Sequence, residues 1–232
     1  SWETDKNKLN EWKKVKVITA VELEDWLSYY PSVALWLTEK LNISHRVKIQ
    51  SIESYWHQWS TKDKGQQLCY SVAIGGRKES VKELLEKTEY HIAIDVCSHS
   101  IEESLAFVVA TILQYGDDSL KNRMLLAKDN ETTGLLASQC SNMVIISSGD
   151  DKNIDPNENC LVYVTHPSSR SKSGVSITLQ TPEPDDFINA LKESGFNETQ
   201  AKQLCSDTGR STAILRRKLG FERNNPDWAK PE

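Results

Sequence analysis

An α/β fold, an open parallel sheet covered by helices on both faces, is what this sequence of 232 residues predicts. Three observations point to it. From residue 76 onward, short runs rich in Ile and Val alternate with helical stretches, and strands that are apolar at nearly every position suit a sheet buried on both sides. After residue 181 the strand-like runs stop and only helical spacing remains. Six of the seven tryptophans (Trp2, Trp12, Trp26, Trp36, Trp56 and Trp59) fall in the first 60 residues and the seventh is Trp228, which marks the start of the chain as a separate segment.

Residues 6–13 read as a short helix with Leu9 and Trp12 on one face, and Val15–Ile18 as a short strand. Val21–Tyr29 carries Leu23, Trp26, Leu27 and Tyr30 at helical spacing. Pro31 stops that helix and suits the first turn of the next, over 31–41, with Ala34, Leu37 and Leu41 together. Ser51–Ser60 is an aromatic helix holding Trp56 and Trp59, and residues 61–73, mixed in charge and size, read as a crossing between domains.

The core then predicts helix 78–87, strand 91–97, helix 101–114, strand 123–128, helix 131–139, and strands 143–148, 160–166 and 175–180. With the five strands numbered in chain order, the expected sheet order is 5-1-4-3-2. The polar loop 148–159 and the Ser-rich basic loop 167–174 should lie outside the sheet. A helical lid follows: 182–194 with Phe187, Ala190 and Leu191 inward, a helix started by the capping pattern Asn197-Glu198-Thr199-Gln200 that buries Ala201, Leu204 and Cys205, and 211–219 with Ile214, Leu215 and Leu219 inward. Gly209 ends the middle helix. The resulting division is 1–60 leading segment, 61–75 connector, 76–181 α/β core, 182–223 lid and 224–232 linker.

A net charge of −5 gives no global attraction to nucleic acid or anionic membrane, and no apolar run is long enough to span a bilayer. Five cysteines, odd in number and never paired at short spacing, read as reduced thiols of a cytoplasmic protein. The opening Ser1-Trp2-Glu3-Thr4-Asp5 reads as the inside of something longer.

Gly75-Gly76-Arg77-Lys78-Glu79 opens a helix that leads into the apolar run Ile92–Cys97. Together with the order of elements, this resembles the STAND/AAA+ branch of P-loop NTPases over residues 75–220. The resemblance implies a P-loop-NTPase-like sheet, with Arg77 and Glu79 near an adenine. It places Ser98–Ser104 at the phosphate loop, Gly149-Asp150-Asp151 at the magnesium-binding acidic motif, Thr165 at the end of the first sensor strand and Arg210 at the second sensor. The stretches Val15–Ala20, Leu23–Leu27 and Pro31–Leu37 resemble a segment of large prokaryotic proteins of phage-defence type, in which a nuclease-like domain precedes an NTPase-like one. That implies residues 1–40 are the tail of an upstream domain.

The phosphate position reads Ser98-His99-Ser100-Ile101-Glu102-Glu103-Ser104, without the glycines that turn backbone amides inward or the lysine that reaches terminal phosphates. Ser100-x-x-Glu103 is instead a capping box, which uses the helix's own first amides, and Glu102 and Glu103 repel a triphosphate. Loss of ATP hydrolysis is therefore expected. His91, Cys97 and His99 lie close in sequence but lack a fourth metal ligand; Glu11-x-Lys13 echoes a nuclease motif without its strand. Arg210, Arg216, Arg217 and Lys218 form a basic patch that suits a helix C-terminus or a nucleic-acid contact.

Three functions follow as expectations. The first is a degenerate module without cofactor that connects parts of a larger protein, its partners being neighbouring domains or copies of itself. The second is an atypical switch holding ATP and magnesium through Arg77, Glu79, Ser98, Ser100, Thr165 and Arg210. The third is a nucleic-acid sensor using the basic patch.

Overall fold

The computed structural model describes residues 2–8, 15–40, 48–61, 67–148, 153–165 and 175–220. The expected linker 224–232, the loop 167–174, the Gly149-Asp150-Asp151 motif and the Glu11-x-Lys13 echo lie outside the described residues.

Among the described residues six strands form one sheet: β1 (Ile49–Gln50), β2 (Ala93–Cys97), β3 (Met124–Ala127), β4 (Val144–Ser147), β5 (Cys160–Thr165) and β6 (Val175–Thr178). Their order is β1-β3-β4-β5-β2-β6. The five strands from β2 to β6 are parallel, and counted in chain order they run 5-1-4-3-2 across the sheet. β1 joins the β3 edge antiparallel, pairing Ile49 with Ala127 and Gln50 with Leu126, so the sheet is mixed. A two-residue strand leaves no periodicity, and the sequence gives no sign of it.

Alternate side chains of each central strand feed opposite cores. On β5, Cys160, Val162 and Val164 enter the main core, and Leu161 and Tyr163 enter the second. The long helix α7 (Ile101–Tyr115) packs over the main face, with Leu105 to Ala110 and Ile112 buried. α9 (Asn130–Gln139) and α3 (Pro31–Lys40) cover the other face around Leu35, Ala137 and Met143. Asn159 closes the corner where α9, β4 and β5 meet. It accepts from the Met143 amide and donates to the carbonyls of Ala137 and Cys140.

The main core also takes in α4 (Ile52–Ser60), α5 (Tyr70–Ile74), α6 (Lys78–Lys87) and the lid helices α10 (Pro184–Glu193), α11 (Glu198–Thr208) and α12 (Thr212–Lys218). The segment expected to cross between domains is part of that core over its described stretch. Leu68, Val72, Ala73 and Ile74 are buried, and Gly75, at φ +59°, ends α5. Trp56 and Trp59 stack with centroids 4.9 Å apart, and Tyr70 packs on Trp56 at 4.8 Å.

At the chain start the helix α1 spans Trp2–Lys8, and Val15–Ile18, expected as a strand, joins no sheet among the described residues. It bonds instead to α1 side chains: Val15 exchanges hydrogen bonds with Asn7, and the Val17 amide donates to Glu3. α2 (Ala20–Ser28) opens with a full Thr19–Glu22 capping box and has no buried residue; Leu23 and Trp26 are exposed. The short helix α8 (Asp118–Asn122), capped by Asp117, precedes β3. No helix among the described residues is long and apolar enough to cross a membrane.

Candidate functional site

The carboxyl end of β2, the start of α7 and the lid meet at one place. Only Ser98, His99 and Ser100 separate Cys97 from Ile101. Three residues cannot wrap a phosphate as a glycine-rich loop of eight does. The loop is closed by its own side chains. Ser98 Oγ donates to the Ser100 carbonyl at 2.7 Å and accepts from the Ser100 amide, while Ser104 Oγ reaches Ser98 Oγ at 2.9 Å. The Thr165 carbonyl, at the end of β5, accepts from the Ser98 amide and from Ser104 Oγ. The amides of Glu103 and Ser104 turn to Ser100, through its side chain and its carbonyl. The amides of Ser98, Ser100, Glu103 and Ser104, which an anion at this helix start would compete for, thus have internal acceptors.

The capping box expected at Ser100–Glu103 forms by half. Ser100 Oγ accepts from the Glu103 amide, but the Glu103 carboxylate does not return to Ser100; it points to Arg77. Arg77 Nη2 donates to Glu103 Oε1 at 2.5 Å, its Nε to the Gln180 carbonyl at 2.6 Å and its Nη1 to the Ala73 carbonyl at 3.1 Å. The guanidinium also lies 5.9 Å from the Phe107 ring centre. Burial lowers the Arg77 pKa and the Glu103 charge opposes that. Arg77 therefore ties α5, the strand end after β6 and α7 together, using every face of its fork.

Glu102 is claimed by a second arginine. Arg216, on α12, pairs with Glu102, donates through Nε to the Trp59 carbonyl at 2.9 Å, and lies 5.2 Å from the Trp59 ring centre. Arg216 is 4% exposed. Its place in a surface basic patch is thus corrected: Arg216 is an interior residue. The spacing held the signal, because Thr212, Leu215, Arg216 and Leu219 recur at i, i+3, i+4 and i+7 and share one helix face. Ile214, expected inward, is 45% exposed for the same reason. Tyr55 is buried near the pair; its phenol pKa is raised by burial, then by the Glu102 charge, with Arg216 opposing.

The remaining candidates are dispersed. Glu79 is exposed in the first turn of α6, and Arg217 is exposed on α12. Lys218 pairs with Asp207 across the α11–α12 turn. Arg210 sits half-exposed in that turn at φ +67°, and its charge is felt by Cys205 on α11. Ser98, Ser100 and Thr165 are joined by hydrogen bonds, Arg77 reaches the same helix start through Glu103, and the arginine the lid delivers to it, through Glu102, is Arg216. Among the described residues no three His, Cys, Asp or Glu side chains converge as metal ligands; His91 and His99 are exposed, and Cys97 is buried.

Beside the site, between α5, α6 and α10, lies an open groove of about 540 Å³ that Ser71, Ile74, Lys78, Tyr115, Asp186 and Glu193 help to line. No protein-family model matches the chain, and no curated protein matches it.

Proposed function

We propose that this chain is a non-catalytic, P-loop-NTPase-like module that works as a structural and regulatory connector within a larger prokaryotic defence-type protein. Its partners in this reading are neighbouring domains of that protein and copies of itself, in the cytoplasm. The observation that carries the reading is the start of α7, where a three-residue loop is closed by Ser98, Ser100 and Ser104, and where Glu102 and Glu103 stand next to the arginines that a bound anion would need. The 5-1-4-3-2 order of the parallel strands supports the NTPase-like half of the reading. The defence setting rests on the resemblance of residues 15–37.

Placing a triphosphate at this helix start would break internal hydrogen bonds of the loop and set like charges against Glu102 and Glu103. Both effects oppose binding. Isothermal titration with ATP and magnesium tests the reading. No heat of binding up to millimolar nucleotide is expected, and a micromolar dissociation constant overturns it. A gel-shift at low salt is the parallel control for nucleic acid, since phosphate contacts are strongest there.

A further inference from the structure

Arg216 joins three helices in an order that suits their charges. Its Nε donates to the Trp59 carbonyl, in the last turn of α4 (Ile52–Ser60), where a helix presents unsatisfied carbonyls and favours a cation. Its Nη1 meets Glu102 in the first turn of α7, where a carboxylate is favoured. The guanidinium lies over the Trp59 ring, so the same residue is held by a backbone carbonyl, a carboxylate and an aromatic face. The Arg216 side chain is 5% exposed and that of Glu102 24%, which places the junction at the edge of the core.

We propose that Arg216 is a coupling residue, through which the end of α4 and the helix α12 hold or open together around α7. The proposal rests on the connector reading and gives it a physical part. A tug on the leading segment reaches the lid because one buried cation cannot keep its partners on both sides once either moves. Glu102 acts as the resident anion of the junction. In an anion-dependent module a ligand would do this; here the chain supplies its own.

The test is hydrogen–deuterium exchange on the full chain carrying Glu102→Gln, which keeps shape and removes charge. Glu102 lies on neither α4 nor α12. Losing a charge-assisted hydrogen bond at the junction should speed exchange in peptides 52–61 and 212–220 together, by about tenfold to hundredfold, with the strands β2 to β5 unchanged. Arg216→Lys, which keeps the charge but gives up the fork, should loosen the same two peptides. The proposal is overturned if only the first turn of α7 changes, if α12 loosens without α4, or if all peptides, strands included, speed up by one common factor. Nucleotide titration is run separately. ATP binding by the unaltered chain would remove the non-catalytic reading while leaving the exchange result to decide the junction.

Discussion

Arg77 donates to Glu103 over 2.5 Å, from 26 residues away in sequence, and the two side chains are 5% and 3% exposed. A pair this deep is worth little against an apolar replacement, but breaking it is costly because one charge stays buried alone. Glu103→Gln should destabilise the fold by about 3–5 kcal/mol, read as a lower urea midpoint with an unchanged slope. In the cycle with Arg77→Met, the coupling between the two positions should be about 1–3 kcal/mol. Full additivity would mean the pair contributes no interaction of its own.

Two adjacent glycines hold the turn that aims Arg77. Gly75 and Gly76 have φ of +59° and +72°. A Cβ at Gly75 would lie 2.6 Å from Cγ of the Pro182 ring, and one at Gly76 would lie 2.1 Å from the Asp186 carboxylate. The left-handed backbone alone costs a non-glycine residue about 1–3 kcal/mol. Gly75→Ala should lower the melting temperature more than Gly76→Ala, because the proline ring cannot rotate away, whereas the exposed Asp186 carboxylate can and leaves only its Cβ, at 2.9 Å, in the way. Combining Gly76→Ala with Asp186→Ala should recover the carboxylate's share of the steric cost and leave the 2.9 Å contact with the residue-186 Cβ and the backbone part.

Asn159 is fully buried and serves one amide and two carbonyls. Asn159→Ala strands the Met143 amide and the Cys140 carbonyl, while the Ala137 carbonyl keeps the Asn157 side chain as a donor; each buried unsatisfied group costs about 1–3 kcal/mol, so a loss of several kcal/mol is expected in thermal unfolding. Asn159→Asp should be worse at neutral pH, since a carboxylate would face the carbonyls of Ala137 and Cys140 with no proton to offer.

The Cys160 thiol is pushed up to about 12, chiefly by burial, with Arg123 opposing and Glu89 adding to it. The native state then keeps its proton while the unfolded chain loses it near the ordinary thiol value of about 8.5. Between those limits the native state binds more protons, so stability falls as pH rises, by about 1.4 kcal/mol per pH unit from this one group. Subtracting the profile of Cys160→Ala from that of the unaltered chain isolates the effect. A flat difference above pH 9 would contradict it.

The central strands and long helices were readable because burial on both faces demands unbroken apolar runs, as in Val144-Ile145-Ile146 and Leu161-Val162-Tyr163-Val164. Short elements were not: α5 and α8 have five residues each, too few for a helical period to show. At the site, Ser100 was readable as a cap, since capping is a local matter. The destination of the Glu103 carboxylate was not, because Arg77 comes to it through tertiary packing and outcompetes the local partner. Arg216 was hidden by composition: a run of three basic residues at a helix end invites a surface reading, while the apolar phase of Leu215 and Leu219 places the first of them inside.

β1 pairs with β3 through two residues only, extended by the Lys128 amide bonding to the Lys48 carbonyl at 2.9 Å. That covers Leu126 and Ala127, the second half of β3, and is too short to present a ladder of its own, with the charged Lys48 next to it. The small strand is therefore a stopper. Among the described residues, this side of the sheet offers another chain only a two-residue strand to extend, a poor starting edge for fibre growth or strand exchange between copies.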